Sequence, residues 1–294
     1  MQVTEYTKKI QRLLTSEDTA NVALAFQLME GQGFPESLYP LMGDDVYKKT
    51  LCVRHDIVPP IEHLTAFHLE GDHYQQQPPR HLFDAFPETL LKLKQLEKLG
   101  LMGQAFDALP NIAEAWPVLA QLDLSDNELS QLPEDFGNLN RLREVSLANN
   151  RLIGLPLSFK KCKQVKELNL SNNCLKEVPQ EIFKLTKLEK LDLSHNYLTQ
   201  IPPEIGKLKK LKELYLNNNQ LMKLPAQVAR LKNLETIHLS DNQLADIPKA
   251  LYQAENLVRL EIQNNPIEAE EIEEAQRLFQ FKLTVMIFLL GKKY

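Results

Sequence analysis

Apolar residues recur along most of the chain in one fixed frame. Leu119–Pro133 reads LAQLDLSDNELSQLP, and the same L-x-x-L-x-L-x-x-N-x-L-x-x-L-P pattern restarts at Leu142, Val165, Leu188, Leu211 and Leu234, always at the same interval. Two more apolar slots follow each proline: Phe136 and Leu139, Phe159 and Cys162, Ile182 and Leu185, Ile205 and Leu208, Val228 and Leu231, Leu251 and Ala254. The x-L-x-L portion alternates with period two, which predicts a short strand with one face inward. Copies in register predict a solenoid, with each strand pairing in parallel with the next and each repeat burying its core against its neighbours. Asn127, Asn150, Asn173, Asn196, Asn219, Asn242 and Asn265 fall where the chain must turn inward. A short amide there can satisfy backbone groups that the turn leaves unpaired. Proline at 110, 133, 156, 179, 202, 225 and 248 closes that turn and opens an outer arm of short helix or irregular chain.

The flanks depart from this frame. Residues 1–60 do not repeat. Tyr6, Ile10, Leu13 and Leu14 have helical spacing. A second helix is expected after Ser16 or Asp18, with Val22, Leu24, Ala25, Leu28 and Met29 apolar and Gly31 and Gly33 at its end. Glu36–Lys49 is read as a third short helix, and Pro59-Pro60 as a stop. This segment is expected to cap the first repeat. The solenoid itself is placed at 61–267. Its second repeat keeps Leu96, Leu99, Leu101 and Pro110, puts Gln104 in the asparagine position, and offers Ala113 and Trp116 to the outer slots. The first repeat pairs Leu64, Phe67 and Leu69 with Phe83, Phe86, Pro87, Leu90 and Leu93, and its greater length leaves room for a protruding loop at 73–81. Residues 268–294 are read as a helix–strand cap, with an acidic amphipathic helix and then a strand at Lys282–Phe288.

Composition narrows the chemistry. The net charge of −5 provides no overall basic footprint, so nucleic acid is not an expected partner. Residues 1–14 have no apolar leader pattern, and the apolar run Val285–Leu290 is too short to span a bilayer, so membrane insertion is not expected. Cys52, Cys162 and Cys174 form neither a disulfide framework nor a metal-ligand spacing, which points to a reducing, cytoplasmic setting. Five of the seven histidines (His55, His63, His68, His73 and His81) are crowded into one stretch ahead of the regular repeats, but their spacing matches no ligand motif. No phosphate-cradling glycine loop, nucleophile elbow or H-E-x-x-H is present, and neither a catalytic group nor a cofactor site is expected.

The in-register copies with asparagine and the L-P junction resemble the leucine-rich-repeat family, from about Leu64 to the C-terminus. The 23-residue period with proline after the last leucine is similar to the intracellular class found in bacterial proteins and in Ras-suppressor and polarity scaffolds. The resemblance implies an α/β fold: a right-handed solenoid, or horseshoe, with a concave parallel sheet, usually binding another protein on that face. The residues flanking each central strand leucine then form two outward rows, from Lys98 to Arg259 and from Gly100 to Glu261. Within them Tyr215 and His238, with His195 from the adjacent turn, fall in consecutive repeats. Lys190, Asp192, His195, Glu213, Tyr215, His238 and Glu261 are therefore the candidate partner-binding residues. The expected function is a non-enzymatic, monomeric scaffold or adaptor for a protein partner. The alternative is a regulator whose N-terminal bundle and 73–81 loop make the main contact.

Overall fold

The computed structural model describes residues 5–273 apart from 30–32, 44, 70–82, 84 and 113. Nine short strands form one parallel sheet in strict chain order: β1 (Ala66–Leu69), β2 (Lys98–Leu101), β3 (Gln121–Asp123), β4 (Glu144–Ser146), β5 (Glu167–Asn169), β6 (Lys190–Asp192), β7 (Glu213–Tyr215), β8 (Thr236–His238) and β9 (Arg259–Glu261). Between β2 and β9 the register is the sequence period itself, so Leu122 lies opposite Val145, Leu168 opposite Leu191, and Leu214 opposite Ile237. Only β1 to β2 has a longer step, Phe67 to Leu99, and its extra residues include the 73–81 insertion, which lies outside the described residues.

The repeat leucines fill the interior. Leu168, Leu191, Leu214 and Ile237 are at most 1% exposed, as are Leu170, Leu193, Leu216 and Leu239 two positions on. Each such side chain contributes about 1.5–3 kcal/mol on burial, and almost all of its neighbours belong to its own or an adjacent repeat. The outer arms between β1 and β2 and from β3 to β9 are single 3-10 turns. Proline precedes most of them in extended conformation, with φ −66° at Pro133 and −72° at Pro225, and its carbonyl accepts from the residue three on: Phe136 N at 3.0 Å and Val228 N at 3.1 Å. That residue is buried in each of these arms (Phe136, Phe159, Ile182, Ile205, Val228 and Leu251). Adjacent arms pack closely, and the rings of Phe136 and Phe159 stack at 5.5 Å. Gly137 is required here, because a Cβ would lie 2.1 Å from the carbonyl oxygen of Ser158 in the next arm.

The asparagines form a buried ladder that ties each repeat to the one before it. Asn173 Nδ2 donates to Leu147 O at 2.9 Å in the preceding repeat and to Leu170 O and Ser171 O at 3.1 Å in its own, while Oδ1 accepts from Leu152 N at 2.9 Å. Asn150, Asn196, Asn219 and Asn242 repeat this arrangement. Gln104 takes the same place in the second repeat, buried, with Nε2 on Met102 O. Immediately before the ladder stands a row with positive φ: Gly103, Asp126, Asn149, Asn172, His195, Asn218, Asp241 and Asn264, at 51–66°. Glycine, or a short side chain able to bond locally, is what the left-handed region tolerates.

In the N-terminal segment expected to cap the repeats, α1 (Glu5–Leu14) and α2 (Thr19–Met29) pack together; Asp18 caps α2 by accepting from Ala20 N at 2.9 Å. The single helix expected over Glu36–Lys49 is two elements, a 3-10 turn at Glu36–Leu41 and α3 at Val46–Arg54. Pro40 has no N–H for a continuing α-helix, Gly43 turns the chain at φ 52°, and Asp45 starts α3 afresh by accepting from Lys48 N. Asp56 then joins the cap to the first outer arm, accepting from Thr89 Oγ1 at 2.8 Å and from Lys92 Nζ at 2.7 Å on Oδ2. In the second repeat Ile112 is buried after Pro110; Ala113, expected in that slot, lies outside the described residues, and Trp116 is buried with its indole N–H on Leu90 O. Residues 269–273 are helical at the C-terminal end, where Ile272 packs on the core; Gly31 and the strand expected at Lys282–Phe288 lie outside the described residues.

Candidate functional site

The sheet's outward face carries two straight rows, because parallel pairing without slip sets position on position. One row runs Ala66, Lys98, Gln121, Glu144, Glu167, Lys190, Glu213, Thr236, Arg259; the other runs His68, Gly100, Asp123, Ser146, Asn169, Asp192, Tyr215, His238, Glu261. Their polarity and charge divide into two zones.

From β6 to β9 the face is a connected cluster. The Tyr215 and His238 rings meet at 4.6 Å between centroids and 54° between planes, and Lys190 Nζ stands 5.5 Å over the Tyr215 ring. The Tyr215 hydroxyl donates to Glu213 Oε2 at 2.7 Å, and Lys190 reaches the same oxygen at 3.5 Å. His238 Nδ1 lies 3.0 Å from Glu261 Oε2, while Arg259 Nε donates to Glu261 Oε1 at 2.7 Å. Burial, then the bond to Glu213, pushes the Tyr215 phenol up to about 12. Burial holds His238 below its ordinary value, opposed by Glu261, so the imidazole is neutral at pH 7 and its Nδ1–H donates to the carboxylate. His238 Nε2 is buried and has no partner among the described residues. The cluster therefore presents an aromatic pair held from both sides by charged groups.

Two of the seven candidate residues are engaged by the turns rather than by the aromatic pair. Asp192 lies in the row beside Tyr215, but its Oδ1 accepts from Ser194 N and Oγ at 2.9 and 2.6 Å and so braces its own turn. His195 belongs to the positive-φ row, with Nε2 3.3 Å from Asn218 Nδ2. Asn149 joins Asp126 at 2.8 Å and Asn172 joins Asn149 at 2.7 Å in the same way, so this row is an exposed amide ladder beside the buried one.

From β1 to β6 the face is a hollow of about 340 Å³, with Gln121, Asp123, Glu144, Glu167 and Asp192 among its walls. Glu144 accepts from Gln121 Nε2 at 2.6 Å, and Glu167 stands in the same row between Glu144 and Lys190. The His68 ring covers Gly100 at the β1 end, where a Cβ would lie 2.4 Å from Nδ1. Neither this hollow nor the place of Arg259 in the cluster was singled out from sequence; the signal available was the run of carboxylates at one repeat position. The histidine group divides between regions. His55 stacks on Phe26 in the cap, His68 is on the sheet, and His73 and His81 lie outside the described residues. Cys174 is partly exposed beside the turn, and His195 in the next turn bonds Asn218.

Comparison with known proteins agrees with this geometry. A family model described as a leucine-rich repeat region matches residues 157–276, and one described as a leucine rich repeat matches residues 94–152. A leucine-rich-repeat protein of Leptospira interrogans superposes with a TM-score of 0.69 at 26% identity, over 97% of this chain and 69% of that one. An internalin of Listeria monocytogenes shares the fold, with a TM-score of 0.61 at 22% identity over 77% of this chain and 61% of that one. The Arabidopsis receptor kinase HAESA, solved in complex with a peptide hormone and a co-receptor, gives 0.56 at 28% identity over 62% of this chain. The chain spans only 32% of that receptor chain. No curated protein gives a match. With the asparagine ladder, the sequential parallel sheet and two family models that together span more than half of its length, the chain belongs to the leucine-rich-repeat family.

Proposed function

We propose that the protein is a non-catalytic scaffold that binds a partner protein on the concave face, acting as a monomer in a reducing, cytoplasmic setting. Leucine-rich-repeat domains commonly mediate protein–protein interaction, and no described helix is long and apolar enough to cross a membrane. The observation that carries the concave-face reading is the Tyr215–His238 pair, packed ring on ring and braced by Glu213 and Glu261. Ordered aromatic side chains lose little freedom on binding, which is why such residues anchor interfaces. Lys190, Glu213 and Glu261 touch the anchor, Asp192 lies beside Tyr215 with His195 in the turn that follows, and the acidic hollow next to them favours a partner segment rich in lysine or arginine. The receptor kinase of similar fold, solved with a peptide hormone, supports a segment-sized ligand. The three free thiols, two of them buried, accord with a reducing compartment. Residues 1–60 act in this reading as an end cover, because Ile10, Phe26 and Leu51 are buried in the same core as the repeats.

The test is differential capture from the native host. Tyr215→Ala with His238→Ala is expected to weaken retention of the partner by at least about tenfold, the loss of one hot spot, with the circular dichroism spectrum unchanged. A partner retained equally by the double variant would remove the proposal.

A further inference from the structure

We propose that one edge of the solenoid, formed by the segments that lead into β4–β8, docks on an anionic lipid bilayer. These segments are residues 137–143, 160–166, 183–189, 206–212 and 229–235. They hold 14 of the chain's 34 lysines and arginines and two of its 39 carboxylates, a local charge of +12 in a chain of net −5. All fourteen basic side chains are exposed.

Their common location follows from the sheet. Parallel strands in chain order all begin on one side, so every approach segment lies on that side. Backbone bonds step along it: Lys166 N to Arg143 O at 2.7 Å, Glu189 N to Lys166 O at 2.7 Å, Lys212 N to Glu189 O at 2.8 Å. Successive segments are therefore one strand spacing apart, roughly 4.8 Å, and the five span roughly 20 Å along the sheet. The charge is also spread across the edge. Lys184, Lys207 and Arg230 end the outer arms, whereas Arg143, Lys166 and Lys212 directly precede the strands.

Little of it is neutralised internally. Glu189 pairs with Lys166 and Lys212, Glu204 with Lys207, and Glu255 with Lys232; the other ten have no carboxylate partner among the described residues. So much like charge at close range is self-repulsive in the free protein, and an external anion relieves it. Arg141, Arg143, Lys161 and Lys163 line a shallow hollow of about 730 Å³ against the single carboxylate Glu97, open enough to admit a phosphate-bearing head group.

A bilayer fits this edge better than nucleic acid does. The charges occupy a band, which a two-dimensional array of head groups meets over its whole area. The only aromatic residue in the five segments, Phe183, is buried, so there is no platform on which bases would stack. The adjoining concave face bears Glu144, Glu167 and Glu213, which repel a polyanion that wraps inward. No large apolar side chain in these segments is exposed, so the attachment is peripheral and electrostatic, of the kind that basic clusters make with anionic leaflets.

Co-sedimentation of the full chain with vesicles tests the proposal. Vesicles of phosphatidylcholine containing about 30% phosphatidylserine should bind at least about tenfold more tightly than phosphatidylcholine alone. High salt should release the protein, because the screening length contracts from about 10 Å at 0.1 M to about 3 Å at 1 M. Replacing Lys163, Lys187, Lys209 and Lys210 with Glu should abolish binding. Replacing Arg151, Lys176, Lys223 and Lys249, which change the net charge equally from other parts of the surface, should leave most of it. Circular dichroism monitors folding; if the reversed variant melts early, alanine at the same four positions must still lose most of the binding. Equal affinity for both vesicle types, or equal losses from the two variants, overturns the proposal. Retention of duplex DNA through the same four lysines, without vesicle binding, also overturns it and assigns the edge to nucleic acid.

Discussion

Tyr215 and His238 show what a repeat does for a single residue. Each is an ordinary strand position, yet the constant repeat interval puts their rings at 4.6 Å with no turn or loop to arrange them. That adjacency was legible in the sequence. Lys190, Glu213 and Glu261 were named beside them, but the bonds by which these groups hold the rings, the part of Arg259 and the buried Nε2 of His238 were not legible, because they depend on rotamers rather than on period. His238 carries a pH consequence. Its folded value lies below the ordinary 6.5, so on acidification the unfolded chain takes up the proton first. The contribution to stability is complete above about pH 6.5 and is lost as pH falls below it. Between about pH 7.5 and about pH 5.5 the wild type should therefore lose more resistance to urea than His238→Asn, which keeps a donor for Glu261. Parallel losses in the two proteins would contradict this. The cysteines offer a second check. Burial pushes the thiols of Cys52 and Cys162 up to about 12, while Cys174 is partly exposed. A thiol reagent should label one cysteine in the native protein and all three after unfolding; fast labelling of two or three native thiols would mean that the core is open.

At the scale of the element, the unit is a strand, an asparagine turn and an outer arm. Asn173 serves three carbonyls and one N–H, so Asn173→Ala leaves several buried groups without partners and should cost about 2–4 kcal/mol. Asn265 makes the same bonds in the last repeat but is only partly buried, so water can replace the amide and Asn265→Ala should cost about 1 kcal/mol. Chemical denaturation of the two variants compares them directly; equal losses would show that the ladder is not what ties the repeats together. The strands, the ladder and the proline-led arms were readable because each recurs in register. The cap was harder. Glu36–Lys49 has helical spacing, but Pro40 and Gly43 act through one missing N–H and one positive φ, which apolar period does not record. His195 is a similar case. Read as a binding residue, it shares its position with Asp126, Asn149, Asn172 and Asn218, a set that marks a demand of the backbone.

For the molecule as a whole, averages conceal what repetition arranges. A net charge of −5 argues against an anionic partner, yet the chain is strongly basic along one edge and acidic in its concave hollow. Segments such as KLKKLKEL at Lys207–Leu214 carry the signal openly, but it becomes a surface only when the sheet sets five of them side by side. The strand order has a further consequence, for how the molecule is made. Each of β2 to β9 needs as its template only the strand synthesised just before it. A nascent chain can thus dock each repeat as it leaves the ribosome, without waiting for distant sequence, and from β2 onward each new pairing closes a loop only one repeat long. Growth of the sheet and growth of the polypeptide then run in the same direction. The N-terminal helices are translated before the strands, so if they act as the end cover proposed above, the growing sheet has one end closed from the start and an open edge that advances with translation.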